Sequence, residues 1–392
     1  MSETSPTPVP AAVPVARRSL APDLARGVML LVIAAAHGRI MAEMFGGGHA
    51  TSTLDAVTEL LLPMLVDARG YPMFAALFGY GLCQIYLRRQ AQSWPWPPIR
   101  SLVRRRGRWL LLFGLAHVVL LFFGDILSVY GLVALAFAGV LRFSDAKLLR
   151  HAAVWLIVGS GLYAVLLTLG SGDTTEGATV MGADPITDLI GRLTMWPVFT
   201  PFMFVTTVFP FLIGVWAARR RILEEPTRHL ALLRRVAFVG IPMGIVGGLP
   251  LGLHNMGAWH GGTAAIYGVE WLTTVAGYMG GLGYAALIGL IAARIGDRPG
   301  RIATALAATG QRSMTSYLLQ SVAWMILFPP YLVGWGPQLS AASAVAVGAG
   351  VWLATVLIAE LMRRKGWRGP AERALRNRTY RVRAPKPLAA AR

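Results

Sequence analysis

Cysteine is almost missing from this chain: Cys83 stands alone among 392 residues. No intramolecular disulfide can form, and the apolar run around Cys83 reads as packing. Charge is scarce too. Asp, Glu, Lys and Arg make up 14% of the sequence, against about 25% in a soluble domain, which excludes a soluble enzyme with one anchor. Acidic residues number only 18 against 37 basic ones, and lysine is confined to Lys147, Lys365 and Lys386. There is no glycine-rich phosphate loop, no G-x-S-x-G elbow and no H-E-x-x-H pair. The opening MSETSPTPVPAAVPVA has no basic stretch ahead of an apolar one, so it reads as a disordered tail rather than a signal peptide.

What the chain has in abundance is apolar sequence. It is 55% hydrophobic, with a mean hydropathy of +0.56. Apolar stretches fall near 27–45, 70–87, 107–123, 126–141, 152–170, 197–218, 236–253, 266–293, 313–330 and 339–362. These predict an all-α polytopic membrane bundle of about ten transmembrane helices. The amphipathic STLDAVTELLLPML (52–65) is expected to lie at the interface between the first two. The organisation expected is a tail over 1–19, six membrane helices over 20–223, four over 224–383, and a tail over 384–392.

Charge placement orients the bundle. With ten spans, all the basic residues except Arg39, Arg69 and Arg192 fall on one side, while GSGDTTEGATVMGADPITD is acidic on the other. That bias predicts a bacterial inner-membrane protein with both termini cytoplasmic. The excess positive charge lies between apolar runs and not on a soluble surface, so it suits anionic lipid headgroups and not nucleic acid.

Against this background the polar residues inside apolar runs carry the functional signal. In DLARGVMLLVIAAAHGRIMAEMF (23–45), Arg26 precedes His37 by eleven positions, about 16 Å along one helix face. Ionisable groups within a membrane are costly, which makes them candidates for function. Arg26 alone also fits a positive-inside anchor, and a neutral His37 also fits a helix–helix hydrogen bond. His117 lies at a similar depth. Asp125 follows in the next turn, where it reads equally as a helix cap. Glu270 enters the eighth span from outside, and His49, His254 and His260 fall in external loops. Their spacing completes no zinc set, so no metal is expected. On the cytoplasmic side, Arg88, Arg89, Arg104, Arg105, Arg106 and Arg108 suit either anionic lipid or the phosphates of a donor such as coenzyme A. Arg312, Ser316 and Gln320 form a polar stripe facing a partner helix or a cavity.

The stretches DLARGVMLLVIAAA, MFAALFGYGL (73–82), RGRWLLLFGLAHVVLLFFGDILSVYGLVAL (106–135), GQRSMTSYLLQS (310–321) and GPAERALRNRTY (369–380) resemble, in content and order, the domain-of-unknown-function 418 (YeiB-like) family of bacterial membrane proteins. The resemblance runs over most of residues 20–385. That family in turn is similar to transmembrane acyltransferases of the acyltransferase-3 and heparan-glucosaminide acetyltransferase types. The acyltransferase-3 pattern has an arginine followed eleven positions later by a histidine on the first helix, as at Arg26 and His37. The heparan type has asparagine in place of His37 and a histidine in the following loop, near His49.

This resemblance implies an acyl group passed from acyl-CoA to a sugar or lipid acceptor, with no resident cofactor. His37, or else His49, would be the catalytic base, with Asp125 beside it. Arg26, His117, Glu270 and Arg312 would bind substrate or donor. A transporter using the same residues as a solute or proton path is the alternative, and a structural membrane protein without chemistry is a third.

Overall fold

The computed structural model describes residues 19–170, 182 and 184–380. Among them there are thirteen α-helices and no strand. The chain runs through α1 (Leu20–Met44), α2 (Thr53–Leu65), α3 (Gly70–Ala91), α4 (Trp96–Leu120), α5 (Ile126–Ala136), α6 (Asp145–Gly170) and α7 (Pro185–Arg219). It continues through α8 (Leu230–Asn255), α9 (Thr263–Ile295), α10 (Arg301–Gln311), α11 (Ser313–Leu327), α12 (Ala341–Arg364) and α13 (Pro370–Tyr380). Each of the ten expected spans has a helix. By length and composition α1, the joined α2–α3, α7, α8, α9 and α12 are long and apolar enough to cross a membrane. The expected all-α membrane bundle is thus what folds.

The two ends of the bundle differ. Ser19 donates to the carbonyl of Leu223, and Arg312 donates to that of Trp367 in the α12–α13 connection, so both described chain ends lie on one face. Arg100, Arg104 and Arg108 of α4 line a cleft there. This is the basic face, and the loop from Phe45 to Ser52 lies at the opposite one. The central core is apolar, with Met29, Met73, Leu77, Val208 and Phe211 packed where α1, α3 and α7 meet, and Cys83 sits within it as expected.

One helix departs in its placement from the reading of the sequence. The 52–65 segment is a helix, but it does not lie flat at the interface. It packs against α8, where Gly248 and Gly252 face the carbonyls of Pro63 and Leu60. The chain then breaks over residues 66–69, with Ala68 at φ 57°, and restarts as α3. The break is deep: Gly277 and Gly281, halfway along α9, face Ala68 and Arg69, and Gly70 lies against Val32 and Ile33, halfway along α1. Unwound backbone at membrane depth needs donors for its carbonyls. Arg69, which the charge count had put outside, supplies one from a buried position, donating to the carbonyl of Asp67 and tying the break to α8 through the carbonyl of Gly244.

Helices α10 and α13 were not expected. Both are short and polar on one side, and both sit at the basic face. Leu375 buries α13, and Glu372 accepts from the N–H groups of Met314 and Thr315, capping α11.

Candidate functional site

A polar chamber forms where α1, α4, α5 and α11 meet. Its fixed part is a relay of three fully buried side chains. His117 on α4 donates from Nδ1 to Asp125 Oδ1 at 3.0 Å, and its Nε2 lies 2.8 Å from Ser321 Oγ on α11. A carboxylate only accepts, so Asp125 fixes the proton on Nδ1 and leaves Nε2 to face the serine. Ser321 can serve either charge state of the ring. It donates to a neutral Nε2, or accepts from an imidazolium while donating to the Tyr317 carbonyl 3.3 Å away.

Asp125 holds a second post. It is the N-cap of α5 and accepts from the N–H groups of Leu127 and Ser128 at 3.1 and 2.6 Å. The cap reading and the functional reading of Asp125 therefore both describe the same carboxylate. The close approach depends on Gly114, because a Cβ there would run into Asp125 Oδ2 and Ser128 Oγ.

His37 shares this chamber. Its ring centroid is 5.0 Å from Phe122 and 6.3 Å from Tyr317, and the His117 ring lies 6.5 and 5.2 Å from the same two. The two histidines thus bracket one aromatic pair. Exposure separates them. His117 is 2% exposed, whereas His37 is only half-buried, and His37 Nδ1 has no hydrogen-bond partner among the described residues. The His37 side chain is thus partly accessible, its Nδ1 excepted, and that of His117 is not. Ser128 Oγ, Tyr130 OH and Gln320 Oε1 are likewise buried and unpartnered among the described residues, which makes the chamber polar beyond the relay itself.

The other sequence candidates scatter. Arg26 lies toward the basic face on α1, donating to Asp23 (3.2 Å) and to the Leu77 carbonyl (3.4 Å). Arg106 of α4 is within electrostatic reach of it. Arg312 is spent on structure, donating to the carbonyls of Ala308 and Trp367. Ser316 and Gln320 of its stripe are buried. His49 is exposed in the loop after α1. Glu270 is half-buried on α9 within reach of His254, and among the described residues no hydrogen bond or ion pair links it to the chamber. The charge pair of Arg39 and Glu59 was missed in the sequence. Arg39 grips Glu59 with two N–H groups at 2.8 and 2.7 Å and also reaches Glu43. Among the described residues no group of His, Cys, Asp and Glu could hold a metal ion.

Two clefts lie toward the basic side, neither of them lined by His37 or the relay. One, about 450 Å³, is lined by Trp96, Arg100, Ser101, Arg104 and Arg108. The other, about 930 Å³, is a nearly all-apolar groove between α1, α9 and α10, running past Leu24, Val28 and Val32 with Arg301 on its wall.

Residues 217–382 match a family described as "Protein of unknown function (DUF418)". Along most of its length the chain is also similar to two bacterial proteins. It is 24% identical over 360 residues to the uncharacterized protein YxaH of Bacillus subtilis (strain 168), covering 84% of this chain and 83% of that one. It is 26% identical over 403 residues to the uncharacterized protein YeiB of Escherichia coli (strain K12), covering 94% and 98%.

Proposed function

We propose that this membrane protein, which carries the DUF418 region from the end of α7 to α13, is an acyltransferase. It moves an acyl group from cytosolic acyl-CoA to a hydroxyl or amine of a sugar or lipid acceptor, with the basic face cytoplasmic and the membrane inner. The observation that carries this reading is the half-buried, unpartnered His37 beside the Asp125–His117–Ser321 relay. A general base must reach its proton and must be positioned. His37 has the access, and the relay holds a second, orienting imidazole next to it.

In the reaction the acceptor oxygen or nitrogen attacks the thioester carbonyl. The new C–O or C–N bond forms as the C–S bond breaks, and His37 takes the acceptor proton and returns one to the leaving thiolate. The arginine cleft with Trp96 suits the phosphates and base of the donor. The apolar groove along α1 suits a fatty acyl chain. Arg26, on the same helix, lies between the cytosol and His37.

The test uses purified protein in nanodiscs with a panel of acyl-CoAs and acceptors, following thiol release. Wild type should release thiol only when acceptor is present. His37→Gln, which keeps polarity and approximate volume, should lower the rate by about 10²–10⁴-fold while donor binding stays close to wild type. Release unaffected by His37→Gln would sink the reading.

One observation favours a second reading, a solute transporter. Broken membrane helices with polar residues at mid-depth often mark substrate paths, and the α2–α3 break with Arg69 is such a feature. If no acyl-CoA is bound or consumed, but vesicles move a solute with a pH dependence that His37→Gln abolishes, the second reading holds.

A further inference from the structure

The end of α7 nearest the opposite face carries buried polar groups that the chamber does not use. Asp188, Arg192, Trp196 and Thr200 follow at steps of four and form one ridge on the helix. Asp188 is 1% exposed, and Arg192 and Thr200 are each 5% exposed. Tyr331, in the α11–α12 connection, donates to Asp188 Oδ2 at 2.6 Å, and Arg192 Nε lies 3.5 Å from that same oxygen. Arg192 Nη1, the indole N–H of Trp196 and Thr200 Oγ1 are buried with no hydrogen-bond partner among the described residues.

Unpaired buried donors are costly, charged ones most of all, and native proteins rarely keep them. Here three stand in a row. Guanidinium and indole can only donate, so whatever satisfies them must be rich in acceptor oxygens. The Asp188 carboxylate is shared between Tyr331 and Arg192 and meets the guanidinium at one nitrogen, which leaves the other side of the fork for a second anion. The ridge is also near the chamber. Phe199 lies 5.4 Å from Phe123, Phe123 lies 5.0 Å from Phe122, and Phe122 lies 5.0 Å from His37, centroid to centroid.

We infer that this ridge binds a phosphate group presented from the opposite face of the membrane. Arg192 takes two of its oxygens through charge-assisted bonds, and Trp196, one turn further on, donates to a third. The group can belong to an anionic lipid headgroup or to a free phosphate, and the chemistry of recognition is the same. Binding here goes beyond the acyl-transfer reading and does not depend on it.

The experiment measures thermal unfolding of the full chain in maltoside micelles, which contain no phosphate. In one arm inorganic phosphate is titrated, and in the other phosphatidylglycerol is added to the micelles. Wild type should be stabilised in a saturable way in one arm, and the responding arm identifies the source. Trp196→Phe keeps the shape of the ridge and removes only a donor. It should weaken the apparent affinity about tenfold, the value of one hydrogen bond to a charged group. Arg192→Gln should abolish the response. If Arg192→Gln fails to fold, Trp196→Phe decides. Wild type responding in neither arm, or Trp196→Phe matching wild type, would overturn the proposal.

Discussion

At the scale of single residues the chamber works by division of labour. His37 is partly accessible and its Nδ1 has no partner among the described residues, while His117 has two partners and is buried. Asp125 serves both an imidazole and a helix end, which allows its two roles to be separated. Asn is as good an N-cap as Asp but carries no charge to polarise an imidazole. Asp125→Asn turns an NH2 toward one of the N–H groups that its two oxygens serve, so it should cost about 1 kcal/mol while lowering acyl transfer at least tenfold. Asp125→Ala should lose the cap as well and cost about 2 kcal/mol or more. Equal activity in wild type and Asp125→Asn would reduce the carboxylate to a cap. Gly114→Ala puts a methyl group against Asp125 and Ser128 and should destabilise by about 1–3 kcal/mol, as overpacking does. His37, His117 and Asp125 could be found in the sequence because titratable groups in apolar runs are rare. Ser321 could not, since a serine in a membrane helix is ordinary and only the fold brings it 2.8 Å from a histidine more than two hundred positions away.

At the scale of elements, hydropathy finds helices and cannot find their tilt. All ten apolar runs became helices, whereas α10 and α13 escaped notice because their polar sides dilute the signal. The α2 segment shows the limit most clearly. An amphipathic helix lying on a membrane and one packing its polar side into a bundle have the same periodicity. What distinguishes them here is the pair Gly248 and Gly252 on α8, far away in sequence. The break after α2 sets up a test of Arg69. Its guanidinium serves the carbonyls of Asp67 and Gly244 from within the bundle. Arg69→Met leaves the Asp67 carbonyl unsatisfied and removes the tie to α8, and should cost about 1–3 kcal/mol, read as a lower unfolding temperature by tryptophan fluorescence. Arg69→Lys should recover part of the loss, having donors but no fork. A methionine variant as stable as wild type would mean that the break carries its own carbonyls.

At the scale of the whole molecule, orientation rests on three exceptions. Arg39, Arg69 and Arg192 are the basic residues that the charge bias puts on the wrong side. Each is held inside the protein, by Glu59 and Glu43, by two backbone carbonyls, and by Asp188 respectively. None is a loop charge that would set topology, so the bias is stronger than the raw count. The weak point of a ten-span bundle is α5. Its 11 residues cover about 16 Å, and the 3₁₀ turn at Ala138–Arg142 adds about 10 Å. Together they fall just short of a hydrocarbon core of about 30 Å. Reporter fusions after residues 93, 257, 334 and 385 test this directly. If α5 crosses, five passes separate 93 from 257, and the two report opposite sides. Residues 257 and 334 then agree with each other, and 385 agrees with 93 on the cytoplasmic side. If α5 instead turns back within the membrane, 93, 257 and 334 report one side, and 385 reports the other.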